Sequence, residues 1–493
     1  MKMIYNVEDK PKFLQCLIFG LQQLLAIMAA TLVVPVIING NAGLEGDNAM
    51  STAAALFGAG VGTFVYLLFT KFKSPVFLGS SFAFIGSMTA AFAGAAGSVT
   101  LGYLGLILGA IFAGLVYVVI AVIVKFVGVG WINKLMPAAV IGPTVAIIGL
   151  SLAGNAVGDI VSGGVKTPVT EYLVDTADGI PQIVENTKMV SVASPLIALL
   201  CGLVTLVTVV LCSTYGKKMS RLIPFIIGIL AGYAVSLIFT VIGNAADIDA
   251  LKVLSFDSFK ALTDGGITIN TFLQAPDFTF LTAVKGFSDI NASYIGTIAL
   301  AYIPVAFVVF AEHIADHKNI SSIIERDLLE KPGLSRTLLG DGVGSMAGAV
   351  LGGCPNTTYG ESVACVAITR NASVVTIMTA AAMAIIISFV SPFIAFVNSI
   401  PSCVMGGVCM ALYGFIAVSG LKMVQRVDLN KNRNLFVVSA ILIAGIGGLT
   451  LNFGKITITA IATALILGIL VNVILSKKGT DELEEENSEE NAQ

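Results

Sequence analysis

Charged residues are scarce in this chain: 12% of its 493 residues are Asp, Glu, Lys or Arg, about half the share of an ordinary soluble domain. Tryptophan occurs once and histidine twice. So few charges cannot coat a soluble fold of this size, and they exclude a disordered chain and a basic nucleic-acid binder as well. The seven cysteines (Cys16, Cys201, Cys212, Cys354, Cys365, Cys403 and Cys409) lie within or beside apolar runs without metal-ligand spacing. They read as packed or lipid-facing thiols. The sequence shows no nucleophile–base pair, metal cluster or phosphate loop, so neither an enzyme nor a bound cofactor is expected.

What the chain has instead is hydrocarbon. Its hydrophobic residues make up 56% of the total, and mean hydropathy is +0.93. The runs are long and continuous rather than short and alternating, which selects a helical bundle over a transmembrane β-barrel. They fall near 14–38, 51–70, 76–97, 102–126, 137–155, 190–213 and 222–243, then near 293–315, 334–353, 355–371, 373–397, 401–421, 434–451 and 456–475. The fold expected is all-α, with 14 transmembrane spans. Lys2, Lys10 and Lys12 before the first run resemble a signal peptide, but that run is too long and no small-residue cleavage site follows; it reads as the first span.

Charge placement supports this count. With the N-terminus inside, 21 of the 27 bases fall on the cytoplasmic side, as the positive-inside rule requires. Both termini are then cytoplasmic, and the protein is a multi-pass protein of the cell membrane. The loops at 156–189 and 244–292 lie outside and are rich in acid. The net charge of −3 reflects a 479–493 tail carrying seven acids and no base, read as a solvated end.

Two segment pairs repeat across the halves. Pro137-Ala-Ala-Val-Ile-Gly142 echoes Pro401-Ser-Cys-Val-Met-Gly406, and Gly79-Ser-Ser-Phe-Ala-Phe84 echoes Asn356-Thr-Thr-Tyr-Gly-Glu361. They occupy the fifth and third spans of each half. Seven spans is an odd number, so the halves cross in opposite directions: an inverted repeat. Pro75, Gly79, Ser80 and Ser81 interrupt span 3, and Gly352, Gly353, Pro355, Asn356, Thr357 and Thr358 interrupt span 10. Each span is expected to enter as an extended segment and continue as a half-helix starting near Phe82 or Tyr359. Irregular backbone at that depth must face protein or a polar cavity. Two half-helix N-termini there would offer N–H donors to a solute with hydrogen-bond acceptors.

Carboxylates stand where lipid should be. Glu361 lies inside an apolar run beside one of these breaks, and Glu312 follows the run from Ile295 to Ala311. Each costs several kcal/mol at membrane depth unless protonated or paired, which makes them candidates for binding and proton transfer. Glu312 also reads as a cap at the cytoplasmic end of its span. In Glu312-His313-Ile-Ala-Asp316-His317, helical spacing puts Glu312 and Asp316 on one face. His313 and His317 have the spacing of a metal pair, but no third ligand is evident and no metal is expected. Asp341 reads as an interfacial or helix-start acid.

At these residues the sequence resembles the nucleobase–ascorbate transporter family, most of all its bacterial uracil permease branch, over nearly the whole chain. The specific stretches are Gly79-Ser-Ser-Phe-Ala-Phe-Ile85, Ala311-Glu-His313, Pro332-Gly-Leu-Ser-Arg336, Pro355-Asn-Thr-Thr-Tyr-Gly-Glu361 and Ala367-Ile-Thr-Arg370. The resemblance implies a core domain at 1–136 (spans 1–4) and 293–397 (spans 8–11). It implies a gate domain at 137–243 (spans 5–7) and 398–476 (spans 12–14). An extracellular loop at 244–292 and an acidic cytoplasmic tail at 477–493 complete the chain. It implies proton-coupled uptake of uracil or a related nucleobase by an elevator movement, in a homodimer. Glu312 and Glu361 would accept from pyrimidine N–H groups. Backbone near Phe82, Tyr359 and Gly360 would donate to ring carbonyls, and Tyr413 would approach from the gate side. Glu312, Asp316 and His313 would handle the proton.

Two positions depart from the family pattern. Where many relatives carry His four residues after the first glutamate, this chain has Asp316, with His317 beside it. After the second carboxylate the usual Asn-x-Gly is replaced by Ser362-Val-Ala364. The purine branch typically has Gln where this chain has Glu361, which favours a pyrimidine. A xanthine or uric acid permease and an anion exchanger of the same architecture remain the alternatives.

Overall fold

The computed structural model describes residues 3–128, 130–175, 182–217, 219–264, 266–453 and 456–476. The acidic tail at 477–493, with Lys477 and Lys478, lies outside the described residues, as do Lys2, Lys218 and Lys455. Each of the fourteen apolar runs contains helix. Among the described residues, eight helices are long and apolar enough to cross a membrane.

The elements that matter below are α1 (Phe13–Ala42), α2 (Thr52–Phe69), β1 (Leu78–Ser80), α3 (Ile85–Gly94) and α4 (Val99–Val127). After a long interval come α5 (Ala292–Ile324), α6 (Leu334–Gly352), β2 (Asn356–Thr358), α7 (Gly360–Thr369), α8 (Val374–Ile387) and α9 (Ser402–Val424). The chain forms two compact units. One comprises Met1–Leu152, Leu273–Val390 and Leu412–Gln493; the other comprises Ala153–Phe272 and Ser391–Ala411.

The expectation of helices broken only by extended entries to spans 3 and 10 needs one amendment. Three two-stranded antiparallel pairs are present among the described residues. One is a hairpin, Lys166–Asp175 against Gln182–Ser191, inside the acid-rich loop. Its Val, Thr, Tyr and Ile residues suit a pleated ribbon. The second pairs Leu451–Phe453 with Ile456–Ile458, three residues on each side. The third matters most: β1 pairs with β2 across 270-odd residues of sequence, in the register Leu78↔Thr358, Gly79↔Thr357 and Ser80↔Asn356.

In the first unit, α2 and α6 approach closely because glycines line their contact. A methyl group on Gly58 would strike the Gly348 carbonyl, and one on Gly62 would strike the Gly344 carbonyl. This small-residue seam is the usual way helices associate in lipid, where no hydrophobic effect drives them together. α6 stops where Gly353 takes a positive φ of 75°, its N–H returning to the Ala349 carbonyl. In the second unit, Pro195–Tyr215 and Pro224–Ala246 each begin on a proline, the position where a missing N–H costs nothing. Leu203, Val207, Leu230 and Ile238 on these helices are exposed, as a lipid-facing surface would be.

Candidate functional site

The site is built around the β1–β2 pair. Its backbone donors and acceptors are met locally, as buried polar groups must be. Ser81 N–H donates to the Pro355 carbonyl at 2.9 Å. Leu78 N–H donates to Thr63 Oγ1 at 3.0 Å. Asn356 Nδ2 donates to the Gly58 carbonyl at 2.9 Å, which anchors β2 to α2.

Helix starts follow both strands, as the broken-span reading expects. Phe82–Phe84 is a 3₁₀ turn leading into α3. Tyr359 is the N-cap of α7, which begins at Gly360 and carries Glu361 in its first turn, where the helix dipole favours negative charge. Gly79 has no side chain because the Tyr359 ring occupies that space. The Tyr359 hydroxyl crosses the strand pair to donate to the Ser80 carbonyl at 2.6 Å. α7 is further fixed by Ser362 Oγ, which receives Gln23 Nε2 at 2.5 Å and Phe77 N–H at 3.0 Å.

α5 runs past these helix starts. Glu312 and Asp316, one turn apart, are both half-buried, as is Glu361. Glu312 lies within Coulombic range of Asp316, Glu361 and Asp341. Asp316 Oδ2 accepts from Thr358 Oγ1 at 2.8 Å, tying α5 to the last residue of β2. The Cβ position of the exposed Gly360 lies 3.8 Å from Asp316 Oδ1. Three carboxylates thus gather beside the start of α7, with Tyr359 in range of both glutamates. Phe82 and Tyr413 form a separate contact, an edge-to-face pair with centroids 5.7 Å apart; both are buried.

The other face of α5 is a polar seam. His313 Nδ1 lies 2.7 Å from Asp341 Oδ2, and His313 Nε2 lies 3.0 Å from Thr337 Oγ1. His317 Nδ1 bonds the His313 carbonyl at 2.9 Å, and its Nε2 meets the Tyr66 hydroxyl at 2.7 Å. Tyr66 in turn reaches Ser74 Oγ at 2.6 Å. The two imidazoles stack with centroids 4.0 Å apart. His313 is therefore committed to Asp341 and Thr337.

Asp341 corrects the sequence reading. It is not an interfacial or helix-start acid but lies two turns inside α6, fully buried against His313. The available signal was its distance from Leu334, where α6 begins. Thr358 was visible only as part of the break in span 10, not as a partner of Asp316; Tyr66 and Thr337 carried no comparable signal, because a lone hydroxyl in an apolar run reads as a packed one.

A bundle with long apolar helices and a carboxylate cluster beside two broken segments defines a membrane transporter. The fold agrees with solved transporters at low identity. The transmembrane domain of a cyanobacterial bicarbonate transporter, BicA, matches with a TM-score of 0.55 and 14% identity, covering 94% of this chain and 99% of that one. The murine Solute Carrier 26 family member A9 anion transporter, in its inward-facing state, matches with a TM-score of 0.58 and 11% identity, covering 95% and 69%. The chain belongs to the nucleobase–ascorbate transporter family: the model described as "Permease family" matches residues 14–454. It is 36% identical to the uracil permease of Bacillus caldolyticus over 99% of this chain and 98% of that protein. Identity to the uracil permease of Bacillus subtilis (strain 168) is 34%, covering 96% and 95%. With the uracil permease of Escherichia coli (strain K12) it is 32%, covering 95% and 93%.

Proposed function

We propose that this chain takes up uracil with protons, through 14 spans arranged as two inverted repeats with both termini in the cytoplasm. The observation that carries the reading is the grouping of Glu312, Asp316 and Glu361 beside the start of α7. Uracil is neutral and planar, with two N–H donors and two carbonyl acceptors. Carboxylates complement the donors and free N–H groups at a helix start complement the acceptors, so a base with the wrong pattern leaves polar groups unmet. Glu312 and Glu361 would receive the N–H groups, with Tyr359, Gly360 and Phe82 around the ring and Tyr413 behind Phe82. Glu312 and Asp316 would hold the coupling proton, with His313 and Asp341 as a fixed wall.

The names of the relatives support uracil over a purine, and so does Glu361, where purine carriers typically hold Gln. In the same reading, spans 1–4 and 8–11 form the moving core of an elevator, spans 5–7 and 12–14 form the gate, and two copies assemble as a homodimer. The fold is shared with anion transporters, but a cluster of three acids repels an anion; chloride-independent uptake would separate the two.

The test is labelled uracil uptake in a host lacking its own carrier. Glu361→Ala and Glu312→Gln should each lower uptake at least about tenfold, the loss expected when a hydrogen-bonded group is left unpaired. A protonophore should abolish accumulation. Normal uptake by Glu361→Ala would overturn the site, and accumulation that ignores the protonophore would overturn the coupling. Excess xanthine that competed better than unlabelled uracil would transfer the assignment to the purine branch.

A further inference from the structure

We infer that the core binds one ordered water between Tyr117 of α4 and Asp341 of α6, joining α4 to the polar seam behind the carboxylate cluster. A small cavity with room for one water-sized sphere is lined by Tyr117, Asp341, Ser345, Asn356, Phe84 and Val309. Two of its polar atoms, the Tyr117 hydroxyl and Asp341 Oδ1, are buried without a hydrogen-bond partner. Such orphans are rare in folded proteins and costly to leave unmet. Tyr117 is held in place by its ring, which packs edge-on against Phe310 at 6.5 Å and against His313 at 6.2 Å. The other oxygen of Asp341 is already committed to His313. Neither orphan therefore has a reason to turn elsewhere.

The chemistry of the two atoms selects the ligand. Asp341 Oδ1 accepts and needs a donor. The Tyr117 hydroxyl carries a proton and needs an acceptor. A metal cation would satisfy the carboxylate but has no lone pair for the phenol proton. A halide would take that proton but is repelled by the carboxylate. Water alone does both, accepting from Tyr117 and donating to Asp341, with Ser345 and Asn356 within the same cavity for its remaining bonds. Two to four polar partners in a space of this size are what a buried water requires. The seam then runs from Tyr117 through the water, Asp341, His313, His317 and Tyr66 to Ser74, drawing α2, α4, α5 and α6 together along the His313–His317 row of α5.

This inference does not depend on which solute is carried, and its readouts are structural. A map of the full-length protein at a resolution that shows waters should contain an isolated peak within hydrogen-bond distance of both atoms. No peak, or a peak ringed at cation-coordination distances, overturns the assignment. A double-variant cycle on the purified protein supplies the second test. Tyr117→Phe and Asp341→Asn should each lower the unfolding midpoint, and the double variant should lower it no further than the worse single one, because both act through the same water. Additive shifts, or a Tyr117→Phe protein as stable as the parent, would refute the shared ligand. Should either variant fail to yield folded protein, the map of the parent decides alone.

Discussion

Thr358 links the strand pair to the carboxylates by a single hydrogen bond, its hydroxyl donating to Asp316 Oδ2. Thr358→Val keeps the β-branched shape and removes the donor. Asp316 then stays at half-burial beside two other acids with one partner fewer, a loss worth about 1–3 kcal/mol. Uptake measured across substrate concentrations should show it as a five- to hundredfold fall (roughly) in the ratio of maximal rate to half-saturating concentration, with folded protein recovered in normal yield. An unchanged ratio would mean that Asp316 takes no part in holding the site. Glu312 and Glu361 were legible in the sequence because a carboxylate in an apolar run is an anomaly that hydropathy exposes. Asp341 was misread, although its place seven residues into the run beginning near 334 already put it two turns inside a helix.

At the scale of elements, α7 depends on one hydroxyl for two contacts. Ser362 Oγ receives both Gln23 Nε2 of α1 and the N–H of Phe77, just before β1. Ser362→Ala strands two buried donors, at a cost of about 1–3 kcal/mol each. The expected result is a lower unfolding midpoint and weakened uptake together, since Glu361 sits one residue away; Ser362→Thr, which keeps the oxygen, should recover part of both. A second tie joins the N-terminal segment to the ends of α5 and α7. Ile4 and Tyr5 N–H donate to the Arg370 carbonyl at the end of α7, and Ala372 and Val374 N–H return to Tyr5 and Val7. Arg326, just past the end of α5, bonds Glu8 Oε1 at 2.6 Å. The Arg326 guanidinium holds the Glu8 carboxyl below its ordinary value of 4.5. A lowered folded-state value means this pair stabilises above the unfolded value and is lost as pH falls through the folded one. Arg326→Gln should therefore lower the unfolding midpoint slightly at pH 7, the pair being exposed, and the gap to the parent should close as Glu8 becomes protonated. A gap of constant size across acid pH would show that Arg326 acts by packing alone. The broken spans were readable because Pro, Gly, Ser and Thr runs cannot sit in a helix interior. That the two extended pieces pair with each other was not readable, because nothing local to residues 78–80 specifies a partner at 356–358.

For the molecule as a whole, the apolar runs and the base distribution made a membrane bundle legible, while the number of crossings is a stronger statement than helix length supports by itself. Among the described residues, eight helices reach spanning length on their own; a count of fourteen requires the other crossings to be assembled from shorter pieces, such as β1 with α3 and β2 with α7. A strand and a half-helix cover the same depth as one long helix only when each end of the break is held by a neighbour, which here is done by Thr63, Asn356 and Ser362. The parity of the count has an observable consequence. Fourteen crossings put both termini on one side and the Lys166–Ser191 hairpin on the other. Single cysteines placed beside Met3, beside Ser476 and between Val165 and Lys166, in a chain whose own seven cysteines are replaced by alanine, should separate accordingly. An impermeant maleimide added to intact cells should label the hairpin site alone, and permeabilisation should then expose both ends. Labelling of one terminus but not the other in intact cells would require an odd number of crossings. The two halves could not then have seven spans each, and the inverted repeat expected from the sequence would fall with the count.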